Sequence, residues 1–389
     1  MKLRYNSIVS ALIFLIFLGF AGLENYLVLS ALLVVLFIGL SQRDLNSSIL
    51  SLSFILFLHV VIYNNNFSSL SIDWLAKNFL NPVILFFLGY WLTLRTKSSN
   101  SSLKLLIYGF FLHGALNIFL YMFNPSTMVE RSMINIWGGK ITATLQNLLF
   151  IPMISLLFYG VYILKDKKKQ LLIVVSCILA IYGSIVSASR TLLYLVVICF
   201  LINMILIAKR NKSKRLNIML SVFAMVIILI IVYEFNIFDL RVWIENSSLG
   251  ERLSNGISAN DSLVDNIRWT MSLKILHQLP THPFGNISVV HYAHNLFLDM
   301  AKYTGILPAL GLFVWAFYQI IKEFSFTISS ICDEWDIIIF SMSVGFMVAF
   351  FLEPVLEGLP IIFSAFCYLC GVMRAKRKRN YMKGSFYER

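Results

Sequence analysis

The chain has 389 residues, of which 59% are hydrophobic and only 13% are charged, and its mean hydropathy is +0.79. A soluble domain carries about 25% charged residues, so these values exclude an ordinary soluble enzyme, a disordered protein and a disulfide scaffold. The apolar runs are continuous, which excludes an outer-membrane barrel, and the net charge of +13 fits cytoplasmic loops better than nucleic-acid binding.

The composition predicts an all-α polytopic membrane protein with about 12 transmembrane helices, since each span needs about 20 apolar residues. The apolar segments, in chain order, are 7–23, 26–40, 48–63, 79–94, 103–123, 141–164, 171–187, 191–208, 216–235, 304–321, 336–352 and 359–373. We expect an N-terminal transmembrane bundle of about nine helices (1–235), one large external loop containing short helices (236–303), and C-terminal transmembrane helices with a basic cytoplasmic tail (304–389).

The positive charges predict the orientation. With both termini in the cytoplasm, most of the 32 Lys and Arg residues fall inside. The densest clusters are then all cytoplasmic: Lys165–Lys169, Lys209–Arg215 and Arg374–Arg379. The segments left outside are a loop around 124–140, a tight hairpin at Ser187–Arg190 and the long loop 236–303.

The long loop is expected to contain an amphipathic helix. Trp269, Leu273 and Leu276 recur at i, i+4 and i+7, and Pro280 follows them. A short helix with such a stripe beside a bilayer is expected to lie in the interface plane.

The apolar segments themselves offer little chemistry. His59 and His113 are interpreted as packing residues, and the scarcity of ionisable groups disfavours an ion-driven transporter. Cys367 and Cys370 form a CxxC without a second pair, within an apolar run, and are also interpreted as packing residues.

The external arginines and lysines are candidates for phosphate binding. Arg190 lies at a helical hairpin that has almost no connecting loop. Its planar, permanently charged guanidinium suits a phosphate; the alternative is an interfacial anchor. Further candidate substrate-binding residues, each of which could instead be a solvated loop charge, are Arg131, Lys140, Arg252, Arg268 and Lys274.

His294 is the candidate general base. It opens the sequence His294-Asn295-Leu-Phe-Leu at an expected helix start, where proton transfer near neutral pH is feasible; the alternative is a capping or surface residue. His277, His282 and His291 fit no zinc-ligand spacing, so we expect no metal site and no cofactor.

Taken in order, these residues resemble the O-antigen ligase and O-antigen polymerase superfamily of bacterial envelope glycan assembly. The similarity is sharpest over about 185–320 and consists of Arg190, Arg268, a His-Pro-Phe-Gly turn (His282–Gly285), His294-Asn295 and Gly305. The sequence Gly305-Ile-Leu-Pro308 departs from the small residue that often follows this glycine, which disfavours the ligase branch.

The resemblance implies metal-independent glycosyl transfer on the periplasmic (external) face of the bacterial cytoplasmic membrane. His294, Arg190 and Arg268 would be catalytic, and Asn295 would orient the base or the acceptor. The implied partners are an undecaprenyl-diphosphate-linked glycan, an acceptor glycan lipid, membrane lipids, a chain-length regulator and a flippase, with no nucleic acid. We expect a repeat-unit polymerase. The alternatives are a ligase acting on lipid A–core and, in a different class, a lipid-linked oligosaccharide flippase.

Overall fold

A computed structural model describes residues 2–39, 46–67, 70–96, 98, 100–129, 132–156, 167–187, 189–210, 242, 245, 247, 267–288, 292–329 and 333–387. Its helices are α1 (Lys2–Phe17), α2 (Glu24–Ile38), α3 (Ser47–Phe67), α4 (Ile72–Arg95), α5 (Ser101–Phe123), α6 (Ala143–Leu148), α7 (Lys167–Val186), α8 (Thr191–Arg210), α9 (Ile267–Gln278), α10 (Leu296–Thr304), α11 (Ile306–Thr327), α12 (Glu334–Leu352), α13 (Val355–Gly358) and α14 (Pro360–Tyr387).

Several of these helices indicate a membrane protein. Within the described ranges, six helices are long and apolar enough to cross a bilayer, namely α3, α4, α5, α8, α11 and α12. The predicted segment 216–235 lies outside the described residues. The backbone contacts form two compact units, one made of Met1–His113 with Leu263–Arg389 and the other of Gly114–Ser262.

The core of the first unit is the pairing of α4 with α14. The two backbones approach closely because glycines stand at the crossing: a Cβ on Gly89 would collide with the carbonyl oxygen of Tyr368, and one on Gly371 with that of Phe86. Tyr368 is fully buried, and its ring packs edge-on against Phe17 of α1, 5.0 Å between centroids.

One end of this unit is held by buried ion pairs. Lys376 Nζ lies 2.6 Å from Asp336 Oδ1 at the start of α12, and Arg377 Nη1 lies 2.6 Å from Glu323 Oε2 near the end of α11. Residues 374–379, expected in a basic tail, therefore continue α14 as a packed helix.

The opposite end of the unit brings together the end of α3, the start of α4 and the end of α12. Helices α9, α10 and α13, which are too short to span, cover this end, and α10 packs against α3, α11, α12 and α13. His294 and Arg268 lie at this end of the unit.

The second unit contains a small antiparallel sheet that was not expected from the sequence. Strands β1 (Met128–Val129), β2 (Ser132–Ile134) and β3 (Lys140–Thr142) pair in that order. Buried amides connect its helices, since Asn147 Nδ2 donates to Ser187 Oγ at 2.9 Å at the end of α7.

Candidate active site

The His-Pro-Phe-Gly turn docks on the junction of α10 and α11. Gly285 (φ +85°) and Gly305 (φ +83°) both adopt left-handed backbone conformations, and a Cβ on Gly305 would lie 2.6 Å from Phe284 Cα. Ile306 N donates to Pro283 O at 3.2 Å across the same contact. The contact between this turn and the α10–α11 junction therefore requires glycine at two positions that are 20 residues apart in the sequence.

Two side chains of α3 form hydrogen bonds at this junction. Asn66 Nδ2 lies 2.9 Å from both Phe284 O and Tyr303 O, and so joins the turn to the end of α10. His59, interpreted from the sequence as a packing residue, is fully buried with its Nδ1 2.8 Å from Thr304 Oγ1.

Asn295 caps α10. Its Oδ1 accepts from Phe297 N at 3.0 Å and from Leu298 N at 3.2 Å, which satisfies two of the free amides at the helix start. Asn295 was expected to orient the base or an acceptor hydroxyl. In the structure its carboxamide oxygen is hydrogen-bonded to the backbone of α10.

Asp299 shapes the backbone around His294. Its buried carboxylate accepts from Ala293 N at 2.7 Å and from Asn295 N at 3.3 Å, one bond on each side of the histidine. Burial raises the pKa of Asp299 to about 7, although the backbone hydrogen bond from Ala293 opposes this shift. Between these two bonds, His294 adopts the left-handed conformation (φ +54°).

This conformation turns the imidazole of His294 toward the end of α12. Its Nδ1 lies 3.9 Å from Oε2 of Glu353, the residue that follows the helix, and its ring lies edge-on to Tyr292. The Glu353 side chain is 3% exposed and that of His294 27% exposed, so a buried carboxylate faces an imidazole that ligands can reach.

Arg268, the first side chain of α9 that is described, reaches the same helix end. Its Nη1 donates to Leu352 O at 3.1 Å, one residue before Glu353. Two of the three predicted catalytic residues therefore meet at the end of α12, although 26 positions separate them in the sequence.

The remaining predicted site residues have other positions. Lys274 is exposed on α9, and Lys140 is exposed at the start of β3 in the second unit. Arg190 also belongs to the second unit, in the tight α7–α8 hairpin, where Ser184 Oγ donates to Ser189 O at 2.6 Å. Arg131 and Arg252 lie outside the described residues.

Helix α9 leaves its predicted apolar stripe largely uncovered by protein. Ile275 and Leu279 are buried, whereas Trp269 is 52% and Leu276 48% exposed. An amphipathic helix with half-exposed apolar side chains suits a position at a bilayer surface.

The sequence patterns did not single out Glu353 as a site residue. Glu353 precedes α13 and Glu357 lies within it, in the short connection between α12 and α14. The available signal was an acid directly after an apolar span on the same side as His294. Glu357 Oε1 lies 3.7 Å from Lys302 Nζ, at the far end of α10 from His294.

A cavity of about 370 Å³ opens beside Glu357. Tyr63, Trp74 and Tyr303 supply aromatic walls, and Asp73 and Lys77 lie at the start of α4 on its rim. Tyr63 stacks on Trp74 with 3.9 Å between centroids. Burial and a hydrogen bond with Glu357 raise the pKa of Tyr303, so its hydroxyl stays protonated and can donate.

The other histidines do not assemble near His294. His277 and His282 are exposed, with Thr281 Oγ1 3.0 Å from His282 Nδ1, and His291 lies outside the described residues. In the ranges that the structure describes, no group of three or more His, Cys, Asp or Glu side chains could hold a metal ion.

Comparison with known proteins adds no assignment. No protein-family model matches the chain, and the search of curated proteins finds no match either.

Proposed function

We propose that the chain is a glycosyltransferase of the bacterial cytoplasmic membrane. It polymerises oligosaccharide repeat units carried on undecaprenyl diphosphate and belongs with the O-antigen polymerase and ligase proteins that its motifs resemble. The proposal includes about 12 spans with both termini in the cytoplasm, and an active site on the periplasmic side.

The observation that carries the proposal is the meeting of His294, Glu353 and Arg268 at the end of α12. The distance of 3.9 Å from His294 Nδ1 to Glu353 Oε2 puts the carboxylate on the Nδ1 side of the ring. At this separation the two groups are not hydrogen-bonded, and the carboxylate stabilises through its charge the imidazolium that forms when Nε2 accepts a proton.

In the proposed reaction, a hydroxyl oxygen of the acceptor glycan attacks the anomeric carbon of the donor. His294 Nε2 takes the hydroxyl proton, the new glycosidic C–O bond forms, and the bond between the anomeric carbon and the diphosphate oxygen breaks. The electron pair leaves with undecaprenyl diphosphate, whose negative charge a fixed guanidinium such as that of Arg268 stabilises.

Arg190 enters the proposal from its motif alone, as a second phosphate-binding guanidinium. Lys274, Lys140, Arg131 and Arg252 are proposed as weaker contributors to the attraction of the anionic carrier. Asn295 supports the base by holding the start of α10.

The test is a glycan ladder in a strain that lacks the chain. Loss of the ladder with a single capped repeat retained supports a polymerase, and restoration by the wild-type chain completes the result. Loss of every attached repeat would make the chain a ligase, and an unchanged ladder would reject both forms of the proposal. Transfer by the purified chain should continue in EDTA if the reaction is metal-independent.

A further inference from the structure

We infer that the cavity beside Glu357 is a binding subsite for uncharged sugar residues of the glycan, separate from the place where the diphosphate binds. The inference rests on the proposed function and extends it, because it assigns the sugar and the phosphate of one substrate to different ends of α10.

The first argument is the shape and composition of the cavity walls. A volume of about 370 Å³ suits a small ligand, and ligand pockets typically combine aromatic walls with a few placed polar groups. Tyr63 and Tyr303 pack edge-on with 5.7 Å between centroids, and Trp74 stacks on Tyr63, so the wall is a rigid aromatic unit. Apolar ring faces cover the C–H faces of a sugar without requiring charge.

The second argument is the balance of charge. Lys77 Nζ pairs with Asp73 Oδ2 at 2.6 Å, and Lys302 Nζ lies 3.7 Å from Glu357 Oε1. Each lysine has its own carboxylate, so the cavity offers no excess positive charge for a diphosphate. Among its lining residues, Asp73 and Glu357 offer carboxylate acceptors and Lys77 offers an ammonium donor, and sugar hydroxyls can donate to the former and accept from the latter.

The third argument is the position of the cavity relative to His294. Helix α10 runs from Asn295 beside the base to Lys302 and Tyr303 beside the cavity, a rise of about 11 Å over seven residues. That length is comparable to two linked sugar rings. A glycan lying along α10 could place one residue in the cavity while another reaches His294.

The test measures binding of two probes to the purified full chain in lipid nanodiscs. One probe is the repeat-unit oligosaccharide released by mild acid from the lipid-linked pool of the producing cells, and the other is inorganic diphosphate. We expect Trp74→Ala and Glu357→Gln to weaken oligosaccharide binding at least tenfold and to leave diphosphate binding unchanged. Trp137→Ala, which removes a partly exposed tryptophan from the second unit, is the matched control.

His294→Ala separates this inference from the proposed function. It should retain oligosaccharide binding while transfer is lost. Unchanged oligosaccharide binding in both cavity variants, no measurable oligosaccharide binding by the wild type, or weaker diphosphate binding in Trp74→Ala would each overturn the inference. Because polymerase activity on the lipid-linked substrate is measured separately, none of these results would by itself reject the glycosyltransferase.

Discussion

At His294 the backbone conformation favours glycine, whereas the proposed proton transfer requires an imidazole side chain. A non-glycine residue at φ +54° costs about 1–3 kcal/mol and persists only where the surroundings determine it. Here the surroundings are the two hydrogen bonds of Asp299, which fix the amides on either side of the histidine. Glycine would fit this backbone better, so the imidazole is retained at a cost in stability.

That conflict gives a sharp prediction for His294. His294→Ala and His294→Gly should both lower transfer by about 10²–10⁴-fold, the usual effect of losing a general base, while His294→Gly should be at least as stable as the wild type. Turnover and thermal unfolding of the purified chain measure the two effects. His282→Ala is the exposed-histidine control. Retention of more than about a tenth of wild-type turnover in His294→Gly would show that the base lies elsewhere.

Arg268 allows a test of geometry at constant charge. Arg268→Lys keeps the positive charge but removes the planar fork that reaches Leu352 O, so we expect a severe loss of transfer with normal amounts of protein in the membrane. Arg190→Lys should behave in the same way. Arg374→Lys, at the opposite end of the first unit, should retain near-normal activity. A normal amount of polymer from Arg268→Lys would mean that only the positive charge at this position matters.

Asp299 predicts how stability changes with pH. Its pKa is about 7 in the folded chain and near 3.8 when exposed, so the folded state holds the proton more tightly. The contribution to stability is complete below about pH 4 and is lost as the pH rises through about 7. The temperature of the unfolding midpoint should therefore decrease as the pH rises from about 4 to about 7 in the wild type. Asp299→Asn should flatten this change, and an equal slope in both proteins would contradict the assignment.

At the scale of elements, the glycine pair explains why distant motif pieces belong together. The His-Pro-Phe-Gly turn and Gly305 are not separate signatures, since the carbonyl of Pro283 fills the space beside Gly305 that a side chain would need. The motif order in the sequence is therefore a packing requirement as much as a chemical one.

Gly305→Ala and Gly138→Ala form a matched pair that tests this requirement. Both glycines have nearly the same φ, +83° and +82°, but a Cβ on Gly138 would meet nothing within 4 Å. Both variants carry a backbone strain of about 1–3 kcal/mol from the positive φ, and only Gly305→Ala must also displace the turn. We expect Gly305→Ala to lower both the unfolding midpoint and transfer, and Gly138→Ala to keep most activity. Equal effects would mean that strain alone matters.

The sequence predicts those elements of the fold that depend on runs of neighbouring residues better than those that depend on contacts between distant segments. Apolar runs predicted helices close to their observed bounds, for example 103–123 against α5 at Ser101–Phe123 and 336–352 against α12 at Glu334–Leu352. The three short strands within 128–142 were missed because strands of two or three residues leave no alternating pattern to detect.

The candidate site shows the same limit. His294 was predicted because it stands next to a recognisable helix start, and Arg268 because it places a second guanidinium in the long external loop. Glu353 was missed because its partner lies 59 residues earlier, and no spacing rule relates positions joined only by the folded bundle. The aromatic cavity was missed for the same reason, since Tyr63, Trp74 and Tyr303 come from three helices.

At the scale of the whole molecule, the buried ion pairs of α14 and the His294–Glu353 pair lie at opposite ends of the first unit. Positive-inside counting puts the basic end in the cytoplasm, so the candidate site should face the periplasm. A phosphatase that is active only in the periplasm should be inactive when fused after Arg379. Asn286→Cys, in a Cys332→Ser background, should react with a membrane-impermeant maleimide added to whole cells. An active fusion or an unlabelled cysteine would reverse the orientation and, with it, the proposed function.

The first unit is also discontinuous in the chain, and this has a consequence for biosynthesis. Helices α1 to α4 are made before residues 114–262, and α14, the main partner of α4, is made last. At about 5–20 residues per second, synthesis of the intervening segment takes roughly 10–30 s. During that time the aromatic core of α4 lacks its final partner, and Glu323 and Asp336, which are made later, wait in turn for Arg377 and Lys376. The ribosome must release nearly the whole chain before this bundle can close, so insertion factors that shield unfinished helices should matter more for this protein than for one assembled strictly in sequence order.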